Sequence, residues 1–121
     1  MSAVKSSTAT ETTDTAEPIP TGRFAPSPTG PLHLGSLVAA VGSYLDARST
    51  GGRWLVRLED LDTARLVDGA DQAILGTLRA FGFRIDGDVV RQQHRLPLYE
   101  SAIADLRRRR LVFHCRCSRR E

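Results

Sequence analysis

RFAPSPTGPLHLGS, residues 23–36, decides how this chain folds. It starts as the end of an apolar-polar run, Thr21–Ala25, that Pro26 stops, so that run reads as a strand. Pro26–His33 holds three Pro and a Gly and must be a loop. Beyond it, Leu37, Val38, Val41, Tyr44, Leu45 and Arg48 recur with helical spacing, predicting a helix from near Ser36 to Gly51–Gly52. Arg53–Asp60 (RWLVRLED) alternates and is rich in β-formers, so it reads as a second strand. Strand, helix and strand form a βαβ unit with an expected right-handed crossover. The fold class is α/β. In open α/β sheets ligands sit outside the carboxyl ends of the strands. The loop after Ala25 and the segment Glu59–Asp62 should therefore share one crevice.

Further along, Asp68 reads as a helix N-cap with Asp71 three residues on, leading a helix through Ile74, Leu75, Leu78 and Phe81. Asp86-Gly87-Asp88 reads as a turn. A third helix is predicted from Pro97 through Tyr99, Ala102, Ile103 and Leu106 into Arg107–Arg110. The apolar Leu111–His114 then delivers Cys115 and Cys117. No internal repeat is visible.

Composition bounds the rest. With 121 residues, 40% hydrophobic and 26% charged, the chain is the size of one ordinary folded domain. The net charge of +3 is uneven: residues 1–21 carry −2, residues 22–106 carry −1, and residues 107–121 carry +6. Residues 1–21 contain nine Ser or Thr and three acids but no Arg and no apolar block, so they read as a disordered tail, not a leader. No run is long enough for a membrane helix. Two cysteines at i and i+2 would make a badly strained bridge, so free thiols or a metal are expected, in the cytoplasm.

The chemistry concentrates on the opening loop. Gly30 and Gly35 let a ligand approach the backbone, and a helix opened by Gly35 and Ser36 offers free N–H groups that suit phosphate. His33 can donate a hydrogen bond or a charge to phosphate oxygens. A Pro-rich connector with an incidental histidine is the alternative. Glu59, at a strand end, can accept from an ammonium group or form an ion pair with Arg57 or Arg65. Asp60 and Asp62 are expected to fix the turn after the strand and pair with Arg65. Arg107–Arg110 reads as a solvated helix end or as a contact for RNA phosphates.

RFAPSPTGPLHLGS, together with WLVRLEDLDTAR at residues 54–65, resembles the glutamate branch of the class I aminoacyl-tRNA synthetases. The family's His-x-Gly-His element stands here as His33-Leu34-Gly35-Ser36, with serine in the last place. Gly42–Arg48 and WLVRLEDLD are similar to the branch's short, tRNA-modifying members, the glutamyl-queuosine tRNA(Asp) synthetases. The resemblance covers about Gly22 to Arg119.

It implies the amino-terminal half of a Rossmann-like nucleotide-binding fold over residues 22–114, followed at 115–121 by the start of a zinc-binding insertion. It also implies activation of L-glutamate with ATP and Mg2+, and transfer to the queuosine base of the tRNA(Asp) anticodon. Glutamate would be held by Arg23, Phe24, Ala25, Pro26, Ser27 and Glu59. ATP would be held by Pro26, Ser27, Thr29, Gly30, His33, Gly35 and Ser36, of which His33, Gly35 and Ser36 carry the catalytic element. Cys115 and Cys117 would be two of four Zn2+ ligands. A conventional glutamyl-tRNA synthetase, or a non-catalytic nucleotide- or RNA-binding remnant, is the competing expectation. The family's site spans both halves of its fold, so this chain is expected to be inactive alone, and a monomer.

Overall fold

A computed structural model describes residues 18–118. Most of the Ser/Thr-rich tail, and the last three residues of the chain, lie outside the described residues. The order is β1 (Thr21–Phe24), α1 (Leu34–Ser49), β2 (Arg53–Leu58), α2 (Ala70–Ala80), β3 (Val90–Arg91) and α3 (Leu96–Arg108). Single 3-10 turns lie at Thr63–Arg65 and Gln93–Arg95. The strands form one parallel sheet in the order β1-β2-β3. Thr21 pairs with Arg53 and Phe24 with Val56, while Arg57 pairs with Val90. Thr21 therefore belongs to the sheet, not to the tail. Among the described residues no helix is long and apolar enough to cross a membrane.

β2 organises the interior because its alternation sends Trp54, Val56 and Leu58 to one face, where each is fully buried. The Trp54 ring stacks on Phe24 at 6.1 Å and on Phe83 at 5.3 Å, and Tyr44 meets Trp54 and Phe83 edge-on at 5.2 and 5.1 Å. The indole N–H donates to Ser43 Oγ at 3.0 Å, which satisfies the polar end of a buried ring. Tyr44 is the one large α1 side chain that joins this aromatic cluster. Otherwise the helix packs through Ala40 and Ala47 against β1 and β2. Gly22 completes the close approach: a Cβ there would stand 2.9 Å from Ala47 Cβ and 3.0 Å from the Ser43 carbonyl.

Most of the apolar residues that recur with helical spacing along α1 thus face away from the core. Val38, Val41 and Leu45 are 64%, 42% and 59% exposed, and only Tyr44 of the large residues turns partly inward. On α2, Ile74 and Leu78 are buried as expected, but Phe81 is exposed and Phe83 takes the interior position. α3 forms where predicted, and none of its residues is buried.

Two helix starts also differ from expectation. α2 is capped by Gly69 in the left-handed region (φ 75°), not by Asp68, because the turn from Val67 needs a positive φ there. Asp71 is in the first turn, as expected, but its carboxylate is bound by Arg91 from β3. α1 starts at Leu34, two residues before Ser36, with His33 as its cap.

β3 is too short to serve the start of β2, and Asp86 takes its place. The Asp86 N–H donates to the Trp54 carbonyl at 2.9 Å, and its carboxylate accepts from the Trp54 N–H at 2.7 Å. The same carboxylate binds Arg48 at 2.8 Å, and Arg48 also donates to the carbonyls of Gly52 and Arg84. Asp86-Gly87-Asp88 is thus a turn that also completes the sheet.

The Trp54 N–H and then Arg48 hold the Asp86 carboxyl below the usual carboxylate range. A carboxyl depressed in the folded state contributes stability above its unfolded pKa, near ~3.9, and loses it as pH falls through the folded value. Resistance to urea should therefore decline on acidification below about pH 4. Asp86→Asn should be less stable at neutral pH and decline less steeply. Asp71, lowered by Arg91 and the Gln72 N–H, supplies part of the remaining slope. Parallel pH profiles for both proteins would exclude Asp86 as a source.

Candidate functional site

The loop between β1 and α1 is held by its prolines. Pro26 and Pro28 are buried and lack an N–H, so each can anchor only through its carbonyl. The Pro26 carbonyl accepts from the Glu59 N–H at 2.9 Å, extending the β1–β2 pairing past both strand ends. The Pro28 carbonyl accepts from Val67 N–H at 3.1 Å. Ser27, between them, is left exposed, and its carbonyl accepts from Thr29 N–H at 2.8 Å.

Beyond this anchored edge lies an open pocket of about 530 Å³. Eight residues expected in the site line it: Phe24, Ala25, Pro26, Ser27, Thr29, Gly30, His33 and Ser36. Pro31, Leu32 and Ala39 complete the wall. The first turn of α1 opens onto this pocket, so its positive end bears on whatever occupies it.

His33 performs a role the sequence reading did not assign. Its Nδ1 accepts from the Ser36 N–H at 3.2 Å, capping α1, and its Nε2 lies 3.2 Å from Ser36 Oγ. For Nδ1 to accept, the proton must sit on Nε2, which then donates to the hydroxyl. Both ring nitrogens are thereby used by Ser36. Gly35 does not line the pocket but makes this possible, because a Cβ there would stand 3.1 Å from the imidazole ring.

Arg23 and Glu59 stand apart from the pocket lining. Phe24 turns into the core, so Arg23, its neighbour on β1, takes the opposite face of the sheet, in register with Leu55. Glu59 Oε1 receives Arg57 at 2.7 Å, one of the two ion pairs set out as the alternative to a ligand contact, and Arg57 Nε is left without a partner.

Asp62 pairs with Arg65 at 2.6 Å as expected, but Asp60 does not. Asp60 is buried, accepts from the Gln93 N–H at 2.9 Å, and receives the Gln93 side chain on its carbonyl at 2.6 Å. It stands with Asp68, Asp71 and Arg91 around a smaller hollow of about 190 Å³ on the Pro28 side of the loop. An acid two residues after a buried strand was the only signal for it, and its partner is 33 positions away.

Cys115 and Cys117 are exposed free thiols beyond α3. The Cys117 backbone N–H, and then its thiol, hold the Cys115 thiol below its ordinary range. Among the described residues no group of three or more His, Cys, Asp or Glu comes together to hold a metal. Tetrahedral zinc needs four donors, so the described residues fit half of such a site.

The family model for the catalytic domain of class I tRNA synthetases (E and Q) matches residues 21–121. The chain belongs to this family. It is 62% identical over 100 residues to a glutamyl-Q tRNA(Asp) synthetase of Dechloromonas aromatica, covering 83% of this chain and 33% of that protein. A glutamyl-Q tRNA(Asp) synthetase of Pseudomonas paraeruginosa is 61% identical over 100 residues, with 83% and 34% covered.

The glutamate-tRNA synthetase of Elizabethkingia anophelis superposes with a TM-score of 0.71 at 36% identity, over 76% of this chain and 20% of that one. A glutamate tRNA ligase of Elizabethkingia meningosepticum, solved with its amino acid, gives 0.69 at 38%, over 73% and 19%. The α/β, Rossmann-like reading therefore holds, and the family is one of ligases. The chain spans about a third of the length of the curated relatives it matches.

Within this class I synthetase fold, the cap makes a direct prediction. His33→Ala should lower stability by about 1 kcal/mol, the usual worth of an N-cap. His33→Asn, which can cap, should recover most of the loss. Urea unfolding of both variants checks it, and full stability in His33→Ala would show that the ring does not cap α1.

Proposed function

We propose that this sequence is the glutamate- and ATP-binding part of a glutamyl-queuosine tRNA(Asp) synthetase. The observation that carries the reading is one pocket formed by the RFAPSPTG loop and the His33–Ser36 helix start. ATP would lie with its phosphates at the α1 N-terminus, accompanied by Mg2+, among Ser27, Thr29, Gly30 and His33. Ser36 and Gly35 fix the His33 ring at that edge. L-Glutamate would reach from this pocket over the strand ends to two residues outside its lining, its side-chain carboxylate on the forked guanidinium of Arg23 and its ammonium on the Glu59 carboxylate, leaving the α-carboxylate toward ATP.

The step is adenylate formation. A glutamate α-carboxylate oxygen attacks the α-phosphorus of ATP, the new P–O bond forms as the bond to the bridging oxygen breaks, and pyrophosphate leaves. Catalysis is then positioning and stabilisation of charge, and His33 needs no nucleophilic role. The glutamyl group would pass to the queuosine base of tRNA(Asp), in the cytoplasm. Cys115 and Cys117 would contribute two thiolates to a Zn2+ site completed by other donors, and no chemical step depends on that metal.

The identities of 57–62% to glutamyl-Q tRNA(Asp) synthetases favour this over 3′-end charging. Structural likeness to glutamate-tRNA ligases keeps conventional charging as the second reading. The acceptor distinguishes them. A full-length protein carrying this sequence should label tRNA(Asp) with radioactive glutamate only when the tRNA contains queuosine. Label lost on deacylating the 3′ end, or present on queuosine-free tRNA(Glu), would favour conventional charging.

Two further outcomes are expected in glutamate-dependent ATP–pyrophosphate exchange. The 121-residue chain alone should show none, and Arg23→Ala should abolish exchange in the full-length protein. Exchange by the isolated chain, or its persistence without Arg23, would overturn the corresponding assignment.

A further inference from the structure

The side of the sheet turned away from the aromatic core carries its own arrangement of charge. β2 buries Trp54, Val56 and Leu58 toward the core, so Leu55 and Arg57 take the opposite side, where Arg23 lies in register with Leu55. Two residues on, Glu59 meets Arg57, whose Nη2 donates to Glu59 Oε1 at 2.7 Å. Arg57 is fixed in the sheet, in register with Val90 of β3. The backbone of Glu59 is fixed too, by its N–H on the Pro26 carbonyl at 2.9 Å. The contact with Arg57 therefore removes the freedom that Glu59 has left, that of its side chain. Glutamate is among the side chains with the most rotamer freedom to lose.

Stability alone accounts poorly for this pair. With side chains 27% and 37% exposed, it sits where ion pairs contribute little to folding. Holding it also leaves Arg57 Nε buried with no hydrogen-bond partner, which is unfavourable. The chain itself covers that nitrogen, so a ligand on this side of the sheet does not reach it.

We infer that Arg57 is a positioning residue, which touches no substrate and holds the Glu59 carboxylate in the direction that meets the ammonium of L-glutamate. This role rests on the reading of Glu59 as the ammonium acceptor, and adds the group that orients it. A carboxylate accepts at about four lone-pair sites, so the ion pair and a ligand contact are compatible. The ammonium contact is the same before and during attack on ATP, because the reacting atom is an α-carboxylate oxygen. Loosening it weakens glutamate binding and leaves the chemical step unchanged.

Glutamate-dependent ATP–pyrophosphate exchange by the full-length protein carrying this sequence tests the role. Arg57→Met should raise KM for glutamate about 10-fold or more, with kcat and KM for ATP within about twofold of the parent. Its urea midpoint should not fall. Arg57→Lys, which keeps a donor but not the fork, should give a smaller rise of the same kind, and decides the matter if Arg57→Met does not fold. Adding Arg57→Met to Glu59→Ala should cost nothing beyond Glu59→Ala alone, because Arg57 acts only through that carboxylate.

A KM for glutamate that is unchanged or lowered in the Arg57 variants, while Glu59→Ala raises it, sinks the positioning role alone. Losses that multiply in the double variant also sink it, since Arg57 would then touch the substrate itself. An unchanged KM in Glu59→Ala removes the reading of Glu59, and the role of Arg57 with it.

Discussion

The hydrogen bond from the Glu59 N–H to the Pro26 carbonyl, 2.9 Å, is the constraint on which the candidate site depends. Parallel pairing ends at Phe24 and Val56, where an ordinary loop would leave the sheet. Here one further bond ties the loop to the strand carrying Glu59. Prolines suit this edge because they offer an acceptor and no competing donor. The second anchor, Val67 to Pro28, fastens the far side of the loop to the segment leading into α2. With both ends of the Pro-Ser-Pro triplet fixed, Ser27 is presented outward at little entropic cost, and the turn through Gly30 leads directly to the start of α1. The pocket follows from two backbone bonds and two rigid rings.

The sheet beneath needs a matching anchor at its other end. β3 supports only the last residues of β2, so the exposed start of β2 would have unpaired backbone groups at Trp54. Asp86 supplies both a donor and an acceptor there, and Arg48 links that point to α1 and to the Arg84 carbonyl. Arg48 also lies 4.9 Å over the Tyr44 ring, which is itself packed on Trp54. Removing one partner leaves a partly buried charge uncompensated, which costs more than the pair contributes over a hydrophobic replacement.

Much of the fold was legible because β2 is. Alternation in RWLVRL identified the strand, and Gly51–Gly52 marked where α1 stops. What was not legible has local causes. β3 is two residues long and has no period to detect. Asp68 resembles an N-cap more than Gly69 does, and only the positive φ at 69 decides between them. The inner face of α1 was hidden because its buried contacts are Ala40 and Ala47, small enough to lie against Trp54 and Phe24, and Tyr44 is the one large residue beside them. In the site, the loop residues were readable from their type, whereas Asp60 and the Arg57–Glu59 pair depend on side-chain directions that spacing does not set.

The His33 cap gives the pocket a definite resting state. A ring whose two nitrogens are both engaged by Ser36 is held in one rotamer and one tautomer, pointing along the helix start. An anion bound at that helix end would compete with this arrangement. If the ring turns to the ligand, α1 loses a cap worth about 1 kcal/mol, so the new contact must exceed that. A charge-assisted hydrogen bond to phosphate, at roughly 1.5–3 kcal/mol, does so. If the ring stays, Nε2 can share its proton between the hydroxyl and the ligand, and the cap is kept. Serine at position 36 permits both outcomes, because its hydroxyl can rotate to follow the proton while its backbone N–H holds the ring. A bulkier side chain there would project into the pocket that Ser36 now lines. The residue that departs from the family's His-x-Gly-His pattern is thus the one that sets the geometry of the histidine that remains.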